Sequence, residues 1–409
     1  MSMKKIEGGV TAAQGFMATG VYAGIKKNNK KDMAMVYSTA PCKAAGTFTT
    51  NVVKAAPVKW DKKVVDESKF VQAIVVNSGV ANACTGEEGY GYCMDTAKAA
   101  GEWLSIPQDA VLIASTGVIG KQLPMATIKA GLPILKGTLS KSLEAGTLAA
   151  EAIMTTDTVS KQVAYEFEVD GKKAVIGGMC KGSGMIHPNM ATMLCFITTD
   201  VAICKPLLTE ALKEIVNDTF NMISVDGDTS TNDSVLLMAN GLAGNNEIRT
   251  KSKDYEAFYE ALNAVMTELS KKIAGDGEGA TALFEVKVVN ADTKENAKIL
   301  SKSVVTSSLT KSAIFGHDAN WGRILCALGY SGVQFDPEKV DLYFESAAGK
   351  LKIVENGTST GYSEEEATKI LSEPEVTAIA DMKMGDASAT AWGCDLTYDY
   401  VKINADYRS

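Results

Sequence analysis

The sequence predicts an α/β protein in which layered sheets carry helices on their outer faces. Three observations lead there. Strand-like segments recur along the whole 409 residues. One-faced helical segments fall between them. The two do not alternate as strand, helix, strand, so a doubly wound nucleotide-binding fold is disfavoured. The strand segments are 70–79 (FVQAIVVNSG), 110–117 (AVLIASTG), 163–169 (VAYEFEV), 173–179 (KAVIGGM), 193–200 (MLCFITTD), 282–291 (ALFEVKVVNA), 376–382 (VTAIADM) and 394–404 (CDLTYDYVKIN). They are rich in Val, Ile, Phe, Tyr and Thr and are bounded by Gly, Asn and Asp. Residues 163–169 alternate, with Tyr165, Phe167 and Val169 against Glu166 and Glu168; others are continuously apolar and belong inside.

The helical segments are 139–154, 206–223 and 253–277. The second carries Leu207, Leu208, Leu212, Ile215 and Val216 at the spacing of a single apolar face. The third ends on Gly275 and Gly277, a stop signal. The apolar run near 191–205 has no Pro/Ser-rich spacer, so the chain is expected to pass through a core there, not along a linker.

Composition narrows the function. Hydrophobic residues make up 46% and charged residues 22%, enough to bury a large core, and the length points to two lobes or a composite domain. A net charge of −8 disfavours nucleic acid as the main partner. The first twenty residues contain lysines but no apolar signal-peptide core, and no run of about 18 apolar residues suits a membrane helix. A cytoplasmic protein without membrane contact is the expectation. The eight cysteines form no CxxC pair and several sit in apolar runs, so they read as reduced and buried. With only His187 and His317 in the chain, no metal site is expected.

The motifs exclude several chemistries. The glycine loops 275–283 (GDGEGATAL) and 181–185 (KGSGM) match neither phosphate-binding fingerprint and read as tight turns. Residues 224–234 (SVDGDTSTNDS) imitate a calcium loop, but Thr231 and Leu237 stand where Gly and Glu are needed. A hydrogen-bonded turn is expected instead. No GxSxG elbow exists, and two histidines make a His-dependent triad improbable. A nucleophile at a chain N-terminus needs no histidine, because its own α-amine, with a pKa of about 7.7–8.0, accepts the proton.

That condition draws attention to 181–196, KGSGMIHPNMATMLCF. Thr192 gains a free amine if its hydroxyl attacks the carbonyl of Ala191, an ester forms by N-to-O acyl shift, and the ester is hydrolysed. The shift needs a small preceding residue, a constrained turn and an oxyanion donor. Gly182, Gly184, Pro188 and Ala191 suit it. The competing reading is a threonine that merely opens a β-strand.

The segment KGSGMIHPNMATML closely resembles the self-cleavage segment of the ornithine acetyltransferase family. Further resemblances run in order along the chain: EGGVTAAQGF (7–16), FTTNVVKAAPV (48–58), NSGVANACTG (77–86), ASTGVIG (114–120), MTTDT (154–158), SVDGDTSTNDS (224–234), GEGATAL (277–283), GHDANWGRI (316–324) and INADYRS (403–409). The resemblance implies a layered, N-terminal-nucleophile-like fold that cleaves itself between Ala191 and Thr192. The products are an α-chain of residues 1–191 and a β-chain of residues 192–409, held without a covalent link in an α2β2 assembly.

It also implies the reaction. Thr192 takes acetyl from N2-acetyl-ornithine and passes it to glutamate, by a ping-pong route with no cofactor, though acetyl-CoA is a conceivable second donor. Thr116 and Gly117 match the family's oxyanion pair. Thr155, Lys181, Glu278, Asn404 and Ser409 match its substrate contacts. Lys181 suits an α-carboxylate, or a role in lowering the amine pKa of Thr192 by like charge, and Glu278 suits the cationic amine of ornithine. His187 reads as loop architecture more than as a base. One departure is Ala319, where many relatives lead us to expect proline. The rival readings are an amidase or aminopeptidase that gives the acyl group to water, and a small-molecule binding protein that is never cleaved.

Overall fold

The structure of the protein, a computed structural model, describes residues 3–27, 29–187 and 193–406. Among them sixteen strands form two sheets. In chain order these are β1 Lys4–Ile6, β2 Phe16–Val21, β3 Met33–Phe48, β4 Val71–Val80, β5 Val111–Val118, β6 Lys161–Val169, β7 Lys172–Lys181, β8 Leu194–Thr199, β9 Ile223–Ser224, β10 Ser234–Ala239, β11 Leu283–Ala291, β12 Asp341–Ser346, β13 Gly349–Glu355, β14 Thr358–Ser359, β15 Glu375–Asp381 and β16 Ala387–Cys394. The chain divides into two compact units. The first comprises residues 1–182, 189–220 and 229–269; the second comprises 183–188, 221–228 and 270–409.

The first unit holds the nine-stranded sheet, ordered β1-β6-β7-β8-β10-β3-β4-β5, with β2 also on β3. The long β3 joins two strand groups. Its first half pairs with β2 and β4, its second half with β10, and the register shifts after Tyr37. β8 and β10 are buried at every position and run parallel, so each carries apolar residues on both faces, at 194–197 and 235–239. β8 also pairs antiparallel with β7, placing Cys180 opposite Cys195 and Lys181 opposite Leu194. The helix Lys205–Val216 buries Leu208, Leu212, Ile215 and Val216 and packs on β3.

The second unit holds the seven-stranded sheet, ordered β14-β13-β12-β15-β11-β16-β9. The helix Lys294–Val305 packs on β11 and β16 through Ala297, Leu300 and Val304. No helix among the described residues is long and apolar enough to cross a membrane.

Two sequence expectations need correction. Residues 394–404 are not a strand to their end: β16 stops at Cys394, and Tyr398–Ala405 is a helix. Tyr398 and Val401 are 84% and 67% exposed, so no second face exists for a pleated strand to bury. The spacing that matters there is i, i+4, which carries Tyr400 and Asn404. The expectation for the run near 191–205 holds for its described residues: they lie within the first unit, and Leu194–Thr199 is buried throughout. Second, all eight cysteines are free thiols but not all are buried: Cys84 and Cys326 are exposed. Cys326 lies on the outer face of the helix Trp321–Gly329, so an apolar run did not make it a core residue.

Candidate active site

The residues singled out from sequence fall into two clusters, one in each compact unit. In the first, β5 runs buried from Val111 through Ser115 and emerges at Thr116 and Gly117, both half-buried. It lies parallel to β4, and the register slips there: Val80 faces both Thr116 and Val118. Gly117 has φ +126°, and a Cβ on it would lie 2.4 Å from the carbonyl carbon of Gly79 and 2.7 Å from the nitrogen of Val80. Only glycine fits. A buried polar network fixes the slip. Ser115 Oγ donates to Asn77 Oδ1 at 2.6 Å, and Asn232 Nδ2 donates to the carbonyls of Ala81 (2.5 Å) and Ser115 (2.8 Å).

Lys181, the last residue of β7, reaches toward the same strand end. Its Nζ donates to Thr155 Oγ1 at 2.9 Å and lies 3.5 Å from Thr116 Oγ1. Both hydroxyls therefore accept from a cation and keep their own O–H for another acceptor. Beneath them Asp157 accepts from Lys161 Nζ at 2.7 Å and from the Gly182 N–H at 2.7 Å, with Lys181 Nζ at 3.9 Å. Burial alone would raise the Asp157 carboxyl, but Lys181, Lys161 and the Gly182 N–H together hold it well below the usual carboxylate range. Two buried lysines thus share one buried carboxylate, and the excess positive charge suits an anionic ligand group.

Lys26 adds to that field. Its Nζ donates to the carbonyls of Met154 (2.7 Å) and Lys31 (2.9 Å), tying down the loop that begins at Thr155. Burial pulls it down to about 8, against the raising effect of Asp32.

Asp157→Asn should destabilise the fold by about 3–5 kcal/mol, because it removes the buried carboxylate that Lys161 and Lys181 share; a denaturant titration at pH 7 checks this. The Asp157 contribution carries the sign of a depressed acid. It is complete above the ordinary carboxyl value of about 3.9 and is lost as pH falls below it. The wild type and the variant should therefore converge in strong acid.

The second cluster joins the glycine loops. Ser183 Oγ donates to the Asp276 carbonyl at 2.7 Å, and the Glu278 N–H donates to the Ser183 carbonyl at 2.9 Å. A Cβ on Gly184 would lie 2.3–2.5 Å from the Glu278 carboxylate, so this glycine makes room for that acid. Glu278 is buried, and Asn404 Nδ2 donates to its Oε2 at 2.7 Å. The loop is fixed further by Asp395, whose carboxylate accepts from the N–H groups of Thr281 and Ala282. The turn expected at 224–234 is present: Asp226 accepts from the N–H groups of Met185, Ile186 and Asp228. His187 Nδ1 lies 3.1 Å from Ser224 Oγ. Burial and Lys302 pull its ring down to about 4, so it is neutral at pH 7. In the GHDANWGRI block, Asn320 caps the helix Trp321–Gly329 by accepting from the Arg323 N–H, a structural role.

The structure thus brings together Thr116, Gly117, Thr155 and Lys181, and separately Glu278 and Asn404. Ala191, Thr192 and Ser409 lie outside the described residues. Sequence reasoning missed Asp157 and Lys161 as a unit, although their i, i+4 spacing of opposite charge was a signal. It also missed Asn232, inside a stretch read as a turn and as a resemblance block with no role given to this residue. Nothing in the sequence marks Lys26.

A profile of the ArgJ family matches residues 17–409. The arginine biosynthesis bifunctional protein ArgJ of Caldanaerobacter subterraneus subsp. tengcongensis is 51% identical over 407 residues, 100% of both chains. Its namesake from Symbiobacterium thermophilum is 53% identical over 409 residues, again 100% of both. A crystal structure of arginine biosynthesis bifunctional protein argJ from Bacillus halodurans is 47% identical, with a TM-score of 0.50; the match takes in 99% of that chain but 52% of this one. That solved chain therefore corresponds to about half of this sequence.

Proposed function

The chain belongs to the ArgJ family, acetyltransferases of arginine biosynthesis, and from that premise we propose that it cleaves itself before Thr192 and carries acetyl from N2-acetyl-ornithine to glutamate on that threonine. The observation that carries this reading is the cation-and-hydroxyl cluster at the end of β5. Lys181 bears on Thr155 and Thr116 and pairs in register with Leu194, two residues after Thr192 in the chain. The half-length Bacillus halodurans chain, set against relatives that span the full length, supports cleavage near the middle.

Maturation and turnover use the same groups. In maturation the Thr192 hydroxyl adds to the Ala191 carbonyl, its proton passes to the departing nitrogen, and water hydrolyses the ester. This frees the Thr192 amine and leaves a carboxylate on Ala191. In turnover that amine takes the hydroxyl proton as Oγ attacks the acetyl carbonyl, then gives it to the leaving nitrogen of ornithine. Thr116 O–H and Gly117 N–H are the donors for the oxyanion of each tetrahedral intermediate. Lys181 takes a substrate carboxylate. Glu278, steadied by Asn404, takes the side-chain ammonium of ornithine, and Ser409 contributes from the chain end. Glutamate then attacks the acetyl ester and departs acetylated.

The test is ornithine release by the purified protein, with glutamate present or withheld, and mass measurement of the 192–409 fragment after acetylornithine alone. Glutamate-dependent release and a fragment heavier by one acetyl group are expected. Equal release without glutamate would make the protein a hydrolase, and an uncleaved, inactive chain would make it a binding protein. Replacing acetylornithine with acetyl-CoA in the same assay asks whether this chain uses both donors. The fragments are expected to co-purify, because β7 and β8 lie on either side of the cut and share one sheet. Gel filtration before and after denaturant checks that.

A further inference from the structure

Two short excursions of the chain stand out. Residues 183–188 and 221–228 belong to the second unit although the stretches flanking them, 189–220 and 229–269, belong to the first. Among their described residues, these excursions are bonded to each other. Asp226 Oδ2 accepts from the Met185 N–H at 2.6 Å, and Oδ1 accepts from the Ile186 N–H at 2.9 Å. The Val225 N–H donates to the Ile186 carbonyl at 2.6 Å. His187 Nδ1 meets Ser224 Oγ at 3.1 Å. Three consecutive residues, 185–187, are thus held by three consecutive residues, 224–226. The holder is itself fixed: Ile223 and Ser224 form β9, which pairs with Trp392 and Gly393 of β16. Met185 takes φ +55°, a conformation a non-glycine side chain adopts only when its surroundings impose it.

A plain turn would not need this. Met185 is 42% exposed, and only Ile186 is buried in the core, so packing does not account for the arrangement. What the arm 185–187 does is lead directly to the predicted scissile bond, four residues beyond His187 in the chain.

We propose that the strap Ser224–Asp226 anchors this arm so that the Ala191–Thr192 bond can undergo its acyl shift, with Asp226 the principal positioning residue. The inference rests on the self-cleavage reading above. The chemistry asks for such an anchor. The attack is intramolecular and gains its rate from a held geometry, and a neighbouring peptide free to rotate would spend most of its time elsewhere. A carboxylate that accepts two successive backbone N–H groups fixes both peptide planes at once, and does so with charge-assisted bonds. In this proposal Asp226 acts through the arm, as a positioning residue and not as a catalytic one.

The experiment follows cleavage of freshly synthesised full-length chain in a cell-free reaction, by denaturing gel, for the wild type, Asp226→Ala, Asp226→Asn, Ser224→Ala and Thr192→Ala. Hydroxylamine, which traps the ester and speeds its scission, is present or absent. Asp226→Ala should process roughly ten- to hundredfold more slowly than the wild type. Asp226→Asn, which keeps one acceptor oxygen, should fall between them. Hydroxylamine should hasten the wild type but not rescue Asp226→Ala, because the slow step precedes the ester. Melting curves of the uncleaved Asp226→Ala and Thr192→Ala chains keep unfolding apart from mispositioning, and the milder Asp226→Asn and Ser224→Ala serve if Asp226→Ala does not fold. Wild-type cleavage rates in folded Asp226 variants, or full rescue by hydroxylamine, would overturn the anchor. A wild-type chain that stays in one piece would instead overturn the self-cleavage reading itself.

Discussion

Thr192→Ala should leave one polypeptide of 43.3 kDa where the wild type gives two, and acetyl transfer should fall by at least about 10⁴-fold. Both effects have one cause. Alanine supplies no hydroxyl to attack the preceding carbonyl, so the bond survives and no free amine forms. Without the hydroxyl there is also no acceptor for acetyl. The two losses are separated by Thr192→Ser, which keeps both the oxygen and, after cleavage, the amine. That variant should process and turn over, more slowly than the wild type, because serine lacks the methyl that narrows the hydroxyl to few rotamers. The two measurements are a denaturing gel and glutamate-dependent ornithine release. A Thr192→Ala protein that still splits into pieces of 191 and 409 − 191 = 218 residues would remove the threonine from the mechanism.

How much of this was legible in the sequence depends on the physical origin of each feature. β4, β5 and β8 were readable because strands buried on both faces are continuously apolar, and β6 because it alternates. The helix Gly86–Leu104 was not found, since its buried face is mostly small (Gly89, Thr96, Ala97, Ala100 and Gly101), with only Cys93 and Leu104 as larger apolar members. The helix Met125–Thr138 contains Pro133, which argues locally against a helix and is overruled by tertiary packing. The helix Tyr398–Ala405 was misread because Tyr, Val and Ile favour strands when considered singly. The site shows the same division. Lys181, Thr116 and Glu278 carry chemistry that a motif announces. Asp157, Lys26 and Asn232 matter through burial and through the backbone groups they hold, and neither is visible until the chain is folded. Gly184 belongs with them: its lack of a side chain gains meaning only once the Glu278 carboxylate is found in that space.

Gly117→Ala tests the oxyanion assignment where geometry speaks most plainly. The residue sits at φ +126°, and an added methyl would fall 2.4 Å from the carbonyl carbon of Gly79, a backbone atom that no rotamer change can move. The left-handed conformation alone costs about 1–3 kcal/mol. Relief requires β4 and β5 to part where their register already slips, and that displaces the Gly117 N–H and the Thr116 hydroxyl together. The expected result is a folded but less stable protein whose kcat is lower by about 10²–10³-fold, the usual cost of losing one oxyanion donor, with a much smaller change in KM. The control is Gly79→Ala. That glycine is also left-handed, at φ +108°, but a Cβ there would meet Ile25 Cγ2 and Lys26 Cγ, each at 3.3 Å and both side-chain atoms able to shift, while the nearest backbone atom, the Ile25 carbonyl carbon, lies at an ordinary 4.0 Å. Gly79→Ala should therefore lower thermal stability by a comparable conformational cost while keeping far more of kcat. Equal kcat in the two variants would mean that the methyl at Gly117 acts through strain alone, and the oxyanion role would have to move to another donor.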